Sequence, residues 1–270
     1  MSTRPFADVI GDPIAHSKSP LIHRFWLDRL GIEADYRATH VTADGLAAFV
    51  ADRRADPAWR GCNITLPHKV AVMSLVDDPG DVQAGIGAMN TIVRQGDRLI
   101  GTNTDAAGFW APISDLDLST ATIVVVGAGG AARAVLFALS RVGVGEVILL
   151  NRTPLKGAAL LARFGLKGRA LPLDAALPPA RLLVNASSLG MEGQPPFAPD
   201  LLPLPADAIV YDLVYAPLET PLLRTATERG LETIDGLDML VGQAAAAFEL
   251  FFGAAPPREH DDALRALLVR

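Results

Sequence analysis

The stretch Thr122-Ile-Val-Val-Val-Gly127-Ala-Gly129-Gly130-Ala-Ala132 decides the fold. The β-branched run 122–126 suits a strand, and a helical pattern over 131–142 begins inside the glycine turn that follows. In this G-x-G-x-x-A pattern the first glycine permits the tight turn, and the second lets the backbone approach a pyrophosphate. The small Ala132 then lets the helix pack on the strand. Free N–H groups and the positive helix end can hold the phosphates. A tight βα turn without a ligand is the plainer alternative, but the strand, the helix and a further strand at 146–150 supply the context a dinucleotide site needs.

The end of that further strand speaks to the cofactor. A carboxylate about 20 residues beyond the first glycine would accept from the ribose 2′-OH of NAD. Here the strand ends in Asn151-Arg152-Thr153, with no Asp or Glu. Arg152 can stack on adenine and pair with a 2′-phosphate, and Lys156 follows one turn later as a second cation. The pattern favours NADP; a solvated helix-start cluster at Thr153-Pro154 is the alternative.

Around this centre, elements alternate along the whole chain. Strands are expected at 6–11, 36–41, 61–65, 182–185, 209–213 and 232–234, and helices at 20–30, 43–55, 67–76 and 221–229. Residues 91–100 read as a hairpin with Gln95-Gly96-Asp97 at its tip. Strands alternating with helices imply parallel sheets joined by βαβ crossovers, so the fold class is α/β. A break near 101–117 divides the chain at about Thr104. The alanine-rich stretch 237–270 is helical, and could finish the second part or return to the first.

Composition narrows the function. The chain has 270 residues, is 50% hydrophobic and carries a net charge of −6. With a mean hydropathy of +0.29 it can bury enough surface to fold. A pI near 5.3 without a Lys/Arg-dense block argues against nucleic acid or an anionic membrane as partner. No uncharged apolar run approaches the ~20 residues of a membrane span, and the N-terminus lacks a signal-peptide core. The single cysteine, Cys62, suits a reducing cytoplasm. His16, His23, His40, His68 and His260 lack ligand spacing, so no metal is expected.

In the first half, Pro67 belongs in a helix's first turn and would place Lys69 near the positive end of the dipole. That placement works against the ammonium form and favours proton transfer. A surface lysine is the alternative. Asp105 could face Lys69 across a cleft, or Thr104 or Asp105 could only cap a helix. Ser17 and Ser19 are similarly open: they could bind a carboxylate, or merely cap.

Taken in order, the motifs resemble those of the shikimate dehydrogenase family over nearly the whole chain. They are S-x-S-P at 17–20, N-[VI]-T-x-P-x-K at 63–69, G-A-x-N-T at 87–91 and G-x-N-T-D at 101–105. There follow G-A-G-G-A-A at 127–132, N-R-T at 151–153, N-A-S-S-x-G-M from Asn185, D-x-x-Y-x-P-x-x-T-P-L from Asp212 and G-x-x-M-L-x-x-Q from Gly236. The resemblance implies an NADP-dependent oxidoreductase that reduces 3-dehydroshikimate to shikimate in aromatic amino acid biosynthesis. It also implies two domains, an α/β substrate domain over 1–104 and 237–270 and a Rossmann-type domain over 105–236.

Residue by residue, the resemblance implies that Ser17 and Ser19, aided by Tyr215, hold the substrate carboxylate. Thr65, Asn90, Asp105 and Gln243 would meet the ring hydroxyls and the reacting oxygen. Lys69 would be the acid/base residue, with Asp105 orienting it. The cofactor side would comprise Asp81, Gly127, Ala128, Gly129, Gly130, Ala131, Asn151, Arg152, Thr153, Lys156, Leu213, Gly236 and Met239. Many members have arginine where this chain has Lys156, a point charge rather than a fork, so the NADP preference would be softer. A quinate/shikimate dehydrogenase using NAD and a silent NADP(H)-binding sensor stand as alternatives. The expected partner is a small molecule, the expected state a monomer or homodimer.

Overall fold

The computed structural model describes residues 4–78, 80 and 82–269. The chain forms two compact units. The first takes the chain up to Thr104 and again from Val241, and the second is Asp105–Leu240.

The first unit opens with β1 (Phe6–Gly11), α1 (Ser19–Leu30), β2 (Asp35–His40), α2 (Leu46–Ala55) and β3 (Trp59–Ile64). It continues with the short α3 (Val82–Gly85), β4 (Thr91–Gln95) and β5 (Arg98–Thr102). The strand order is β2-β1-β3-β4-β5. β1 runs parallel to β2 and β3, whereas β4 is antiparallel to β3 and to β5. The β4–β5 hairpin turns at Gly96, which has a φ of +62°, the left-handed conformation that glycine adopts at no steric cost.

The second unit contains α4 (Asp105–Trp110), β6 (Thr122–Val126), α5 (Gly130–Val142), β7 (Glu146–Leu150), α6 (Pro154–Phe164) and β8 (Gly168–Leu171). After them come β9 (Leu182–Asn185), β10 (Ile209–Asp212), α7 (Pro221–Glu228) and β11 (Glu232–Ile234). All the strand pairs are parallel, in the order β11-β10-β9-β6-β7-β8. Alternate residues feed two cores. Ile123, Val125, Val147 and Leu149 lie in one, and Val124, Val126, Ile148 and Leu150 in the other. The sheet is therefore covered on both faces, as the near-continuous apolar runs require.

The helix α8 (Gly236–Phe252) contains the change of unit between Leu240 and Val241, and α9 (Asp261–Leu268) ends the described chain. Sequence had set the return at Leu237, the second residue of α8. Within the first unit, Ala247 and Phe251 of α8 pack with Ala7, Val9, Tyr36 and Val93.

One expected helix is absent. Residues 66–70 form a turn, and only Ala71–Leu75 is helical, as a 3-10 piece. Leu66 N-terminal to Pro67 is biased away from the helical region, and the ring of His68 is drawn inward, its Nε2 2.6 Å from the Val41 carbonyl oxygen. The dipole argument for Lys69 lapses with that helix. Asp81 lies outside the described residues.

His23 of α1 is fully buried, stacked on Tyr36 with ring centroids 3.8 Å apart and planes 3° from parallel. Trp26, Phe248, Phe251 and Phe252 also surround it, and among the described residues neither ring nitrogen has a hydrogen-bond partner. Burial lowers its pKa to about 3, so the neutral ring is what the fold accepts. The resulting stability is complete above the unfolded value near 6.5 and is lost as pH falls from there towards 3. We expect His23 alone to cost about 2 kcal/mol between pH 7 and pH 5. Urea unfolding at both pH values checks this: His23→Phe should remove that share of the acid sensitivity, and an equal pH dependence in both proteins would refute it.

Candidate active site

In the second unit, the glycine turn sits between β6 and β9, the place where strand order reverses and dinucleotides bind in such sheets. Gly127 has a φ of +106°, and a Cβ there would lie 2.9 Å from the Ala186 carbonyl oxygen. Two chain segments thus cross at a distance only glycine allows. Gly129 differs: its φ of −87° suits any residue, and an added Cβ would meet nothing within 4 Å. Among the described residues no protein atom crowds this side of Gly129, which leaves its backbone open to a group approaching from outside. Gly130 and Ala131 open α5, no side chain caps it, and Ala132 is fully buried against the core. Ala128 packs at the edge of the same core. These residues fit the pyrophosphate of a dinucleotide cofactor at a helix N-terminus.

At the end of β7, the Asn151 N–H donates to the Leu171 carbonyl over 3.1 Å and its Nδ2 donates to the Thr153 carbonyl over 2.9 Å. The loop is held by its own amide, leaving Arg152, Thr153 and Lys156 exposed at the start of α6. No carboxylate stands at this strand end.

The tips of β9 and β10 are tied together. Asp212 Oδ1 accepts from Asn185 Nδ2 (2.8 Å) and from the Val214 N–H (3.1 Å), and Oδ2 accepts from Thr220 Oγ1 (2.7 Å). Burial pushes the Asp212 carboxyl up, against these hydrogen bonds that favour its charge. The same bonds fix the segment bearing Leu213 and Tyr215, whose hydroxyl burial also pushes up. Gly236 closes the segment from the other side, since a Cβ there would be 2.5 Å from the Leu213 carbonyl oxygen. Met239 is buried one turn on, and Asp105 is the buried first residue of α4.

In the first unit, the structure brings three of the marked segments together. Asn90 Oδ1 accepts from the Thr104 N–H (2.7 Å), so its Nδ2 faces the Thr104 hydroxyl (2.9 Å) and Gln243 Oε1 (3.4 Å). The Thr104 hydroxyl donates in turn to Gln243 Oε1 (3.5 Å). Behind them, Tyr36 Oη donates to Asn63 Oδ1 over 2.5 Å. Asn63 Nδ2 donates to Thr91 Oγ1, which donates to Asn90 Oδ1, each over 3.0 Å. The backbone donor at Thr104 and the Asn90 carbonyl, which accepts from Asn63, set the direction of the whole chain. Gln243 therefore has its carbonyl end turned into the protein.

Lys69, half-buried, lies within the turn at 66–70, and its carbonyl accepts from the Met89 N–H (2.7 Å), one residue from Asn90. The Thr65 N–H donates to the Ile10 carbonyl (2.9 Å) at the end of β3. Ser17 Oγ accepts from the Ser19 N–H (3.3 Å), and Ser19 is buried at the start of α1. Lys69 belongs to the first unit and Asp105 to the second. On sequence, Thr104 has only a capping reading, Thr91 and Asp212 fall in family motifs without a site role, and Tyr36 is unmarked. Asp212, a carboxylate between Tyr211 and Leu213, carries a signal of polarity in an apolar strand run, whereas Tyr36, between Asp35 and Arg37, and Thr91, after Asn90, carry none. Among the described residues, no cluster of three or more His, Cys, Asp or Glu could hold a metal ion, and no helix is long and apolar enough to cross a membrane.

Fold and site together define a two-unit protein whose second unit carries a dinucleotide-binding sheet and whose first carries a buried polar cluster. Three family models match. They are the shikimate dehydrogenase substrate binding domain at 9–92, shikimate/quinate 5-dehydrogenase at 111–180, and the shikimate 5′-dehydrogenase C-terminal domain at 236–261. The chain is 73% identical to the NADP(+) shikimate dehydrogenase of Sphingopyxis alaskensis, over 98% of this chain and 97% of that one. It is also similar to the crystal structure of shikimate 5-dehydrogenase from Thermus thermophilus in complex with NADP(H) and shikimate. There the TM-score is 0.84 and the identity 39%, covering 98% and 99% of the two chains. A ligand-free 5-ketofructose reductase of a Gluconobacter strain has a TM-score of 0.87 at 30% identity, covering 100% and 99%. The chain belongs to the shikimate dehydrogenase family.

Proposed function

We propose that the protein catalyses the reversible NADPH-dependent reduction of 3-dehydroshikimate to shikimate, a step of aromatic amino acid biosynthesis. The observation that carries this reading is the 73% identity, over 98% of the chain, to an NADP(+) shikimate dehydrogenase. With it goes a cytoplasmic enzyme acting on a small molecule, as a monomer or homodimer.

NADPH, when bound, supplies the hydride. Gly127, Ala128, Gly129, Gly130 and Ala131 would hold its pyrophosphate, and Asn151, Arg152, Thr153 and Lys156 its adenosine end. Asp81, Leu213, Gly236 and Met239 would line the remainder. On the substrate, Ser17, Ser19 and Tyr215 would hold the carboxylate, while Thr65, Asn90, Asp105 and Gln243 meet ring oxygens. Gln243 would act as a donor, because its carbonyl end is already engaged. Lys69 supplies the proton that the developing alkoxide needs and, in the reverse direction, accepts it. Asp105 would orient that ammonium. The net charge of −6 does not oppose two anionic ligands, because Arg152, Lys156, Lys69 and the α5 N-terminus supply the attraction locally.

Lys156 favours a second reading, in which NAD is also accepted as in a quinate/shikimate dehydrogenase, since one guanidinium and one ammonium hold a 2′-phosphate less specifically than two forks. Acceptance of quinate is a separate matter for the assay. Steady-state oxidation of shikimate and of quinate with NADP⁺ and with NAD⁺ decides between them. Absence of shikimate turnover with NADP⁺ would sink the main reading and leave a binding protein. Arg152→Ala should raise KM for NADP⁺ about 10- to 100-fold, the size of one hydrogen-bonded charge pair, and raise KM for NAD⁺ far less. Equal losses for both cofactors would remove Arg152 from the 2′-phosphate.

A further inference from the structure

Lys18 stands between the two serines and is not in the catalytic or binding set. Its Nζ donates to the main-chain carbonyl of Leu268, at the far end of the chain. That carbonyl lies in the last turn of α9, where the helix dipole is negative and a cation is favoured. Asp261 and Asp262 occupy the opposite, positive end. α9 is itself anchored: Leu264 and Leu268 are fully buried, and the helix packs on α1.

The carbonyl of Lys18 begins α1, accepting from the N–H groups of Leu21 (3.1 Å) and Ile22 (3.2 Å). Its neighbours are joined by the bond from the Ser19 N–H to Ser17 Oγ. A long lysine side chain loses rotamer freedom when held, and here its ammonium is committed to a fixed main-chain acceptor.

We propose that the C-terminal helix α9 positions Ser17 and Ser19 through the Lys18 tether, making Lys18 a positioning residue for the substrate carboxylate. The inference rests on the function proposed above for the two serines. The ammonium is turned towards α9, so its contribution is the placement of the two hydroxyls and not a direct contact with substrate.

Lys18→Met keeps the stem and removes the donor. With the whole chain, KM for shikimate should rise about 10-fold, the effect of one hydrogen bond to a charged group. The kcat and KM for NADP⁺ should stay within about twofold of wild type. Shikimate methyl ester, which lacks the charge, should lose much less than shikimate, and Lys18→Arg should restore most of the affinity. Amide hydrogen exchange over residues 17–22 gives a readout independent of substrate, and it should quicken in Lys18→Met. Unchanged exchange, an unchanged shikimate KM, or equal losses for acid and ester would each overturn the inference. Failure of the wild-type protein itself to oxidise shikimate would instead count against the proposed function, leaving the exchange experiment to decide the tether.

Discussion

Replacing Lys69 by alanine is expected to lower kcat by about 100- to 10,000-fold, the range over which general acid–base catalysis acts, with KM for shikimate changed far less. That corresponds to about 2.7–5.5 kcal/mol of transition-state stabilisation. No helix dipole assists Lys69 in the proposed role, because residues 66–70 form a turn. The residue is half-buried within the turn that replaces the start of the expected helix, and its carbonyl accepts the hydrogen bond from Met89. Asn90, one residue on, heads the cluster that ends in Gln243. Proton transfer belongs to the chemical step, so kcat and kcat/KM should fall together.

Lys69→Arg sharpens the test. A guanidinium keeps the positive charge that would stabilise the alkoxide but does not give up its proton. The arginine enzyme should bind shikimate and still turn over slowly. Steady-state kinetics with NADP⁺, together with calorimetric binding of shikimate, separates the two steps. A kcat within a few fold of wild type in Lys69→Ala would remove Lys69 from acid–base work.

How much of this was legible in the sequence depends on how local each feature is. The run Thr122–Val126, the glycine turn and α5 are contiguous, and the strand and its glycines carry their own signals. The β4–β5 hairpin was legible for the same reason. The strand β8 was not: Gly168–Leu171 is a four-residue edge strand, and its alternation is too short to register. The 67–76 segment misled because proline at the start of an apolar run usually opens a helix. Here the inward anchoring of His68 bends the chain before the 3-10 piece at Ala71–Leu75. The Asn90–Gln243 bond spans 153 residues, and nothing in either segment announces the other. Motif resemblance marked both residues, but only the coordinates show which end of each amide faces inward.

Asp8 is the largest feature the sequence concealed, and Asp8→Ala is expected to cost the first unit about 3–5 kcal/mol. It sits within β1 on the face of Phe6 and Ile10, fully buried, where the strand pattern calls for an apolar residue. Its Oδ1 accepts from Thr39 Oγ1 at 2.6 Å, and its Oδ2 from Arg53 Nε and Trp59 Nε1, both at 2.9 Å. These donors come from β2, α2 and β3, at separations of 31, 45 and 51 residues. Removing the carboxylate strands a partly buried guanidinium together with a buried indole N–H and a hydroxyl, which is why the loss exceeds the net worth of the pair. Asp8→Asn keeps the shape and one acceptor but loses the charge, so it should fall between. Replacing the pair, Asp8→Leu with Arg53→Met, should restore part of the loss, since apolar substitutes of similar volume leave no unpaired charge. Trp26 and Trp59 are both buried in this unit, so tryptophan fluorescence during urea unfolding reports on it. An Asp8→Ala midpoint near that of wild type would mean that the carboxylate contributes packing volume and nothing more.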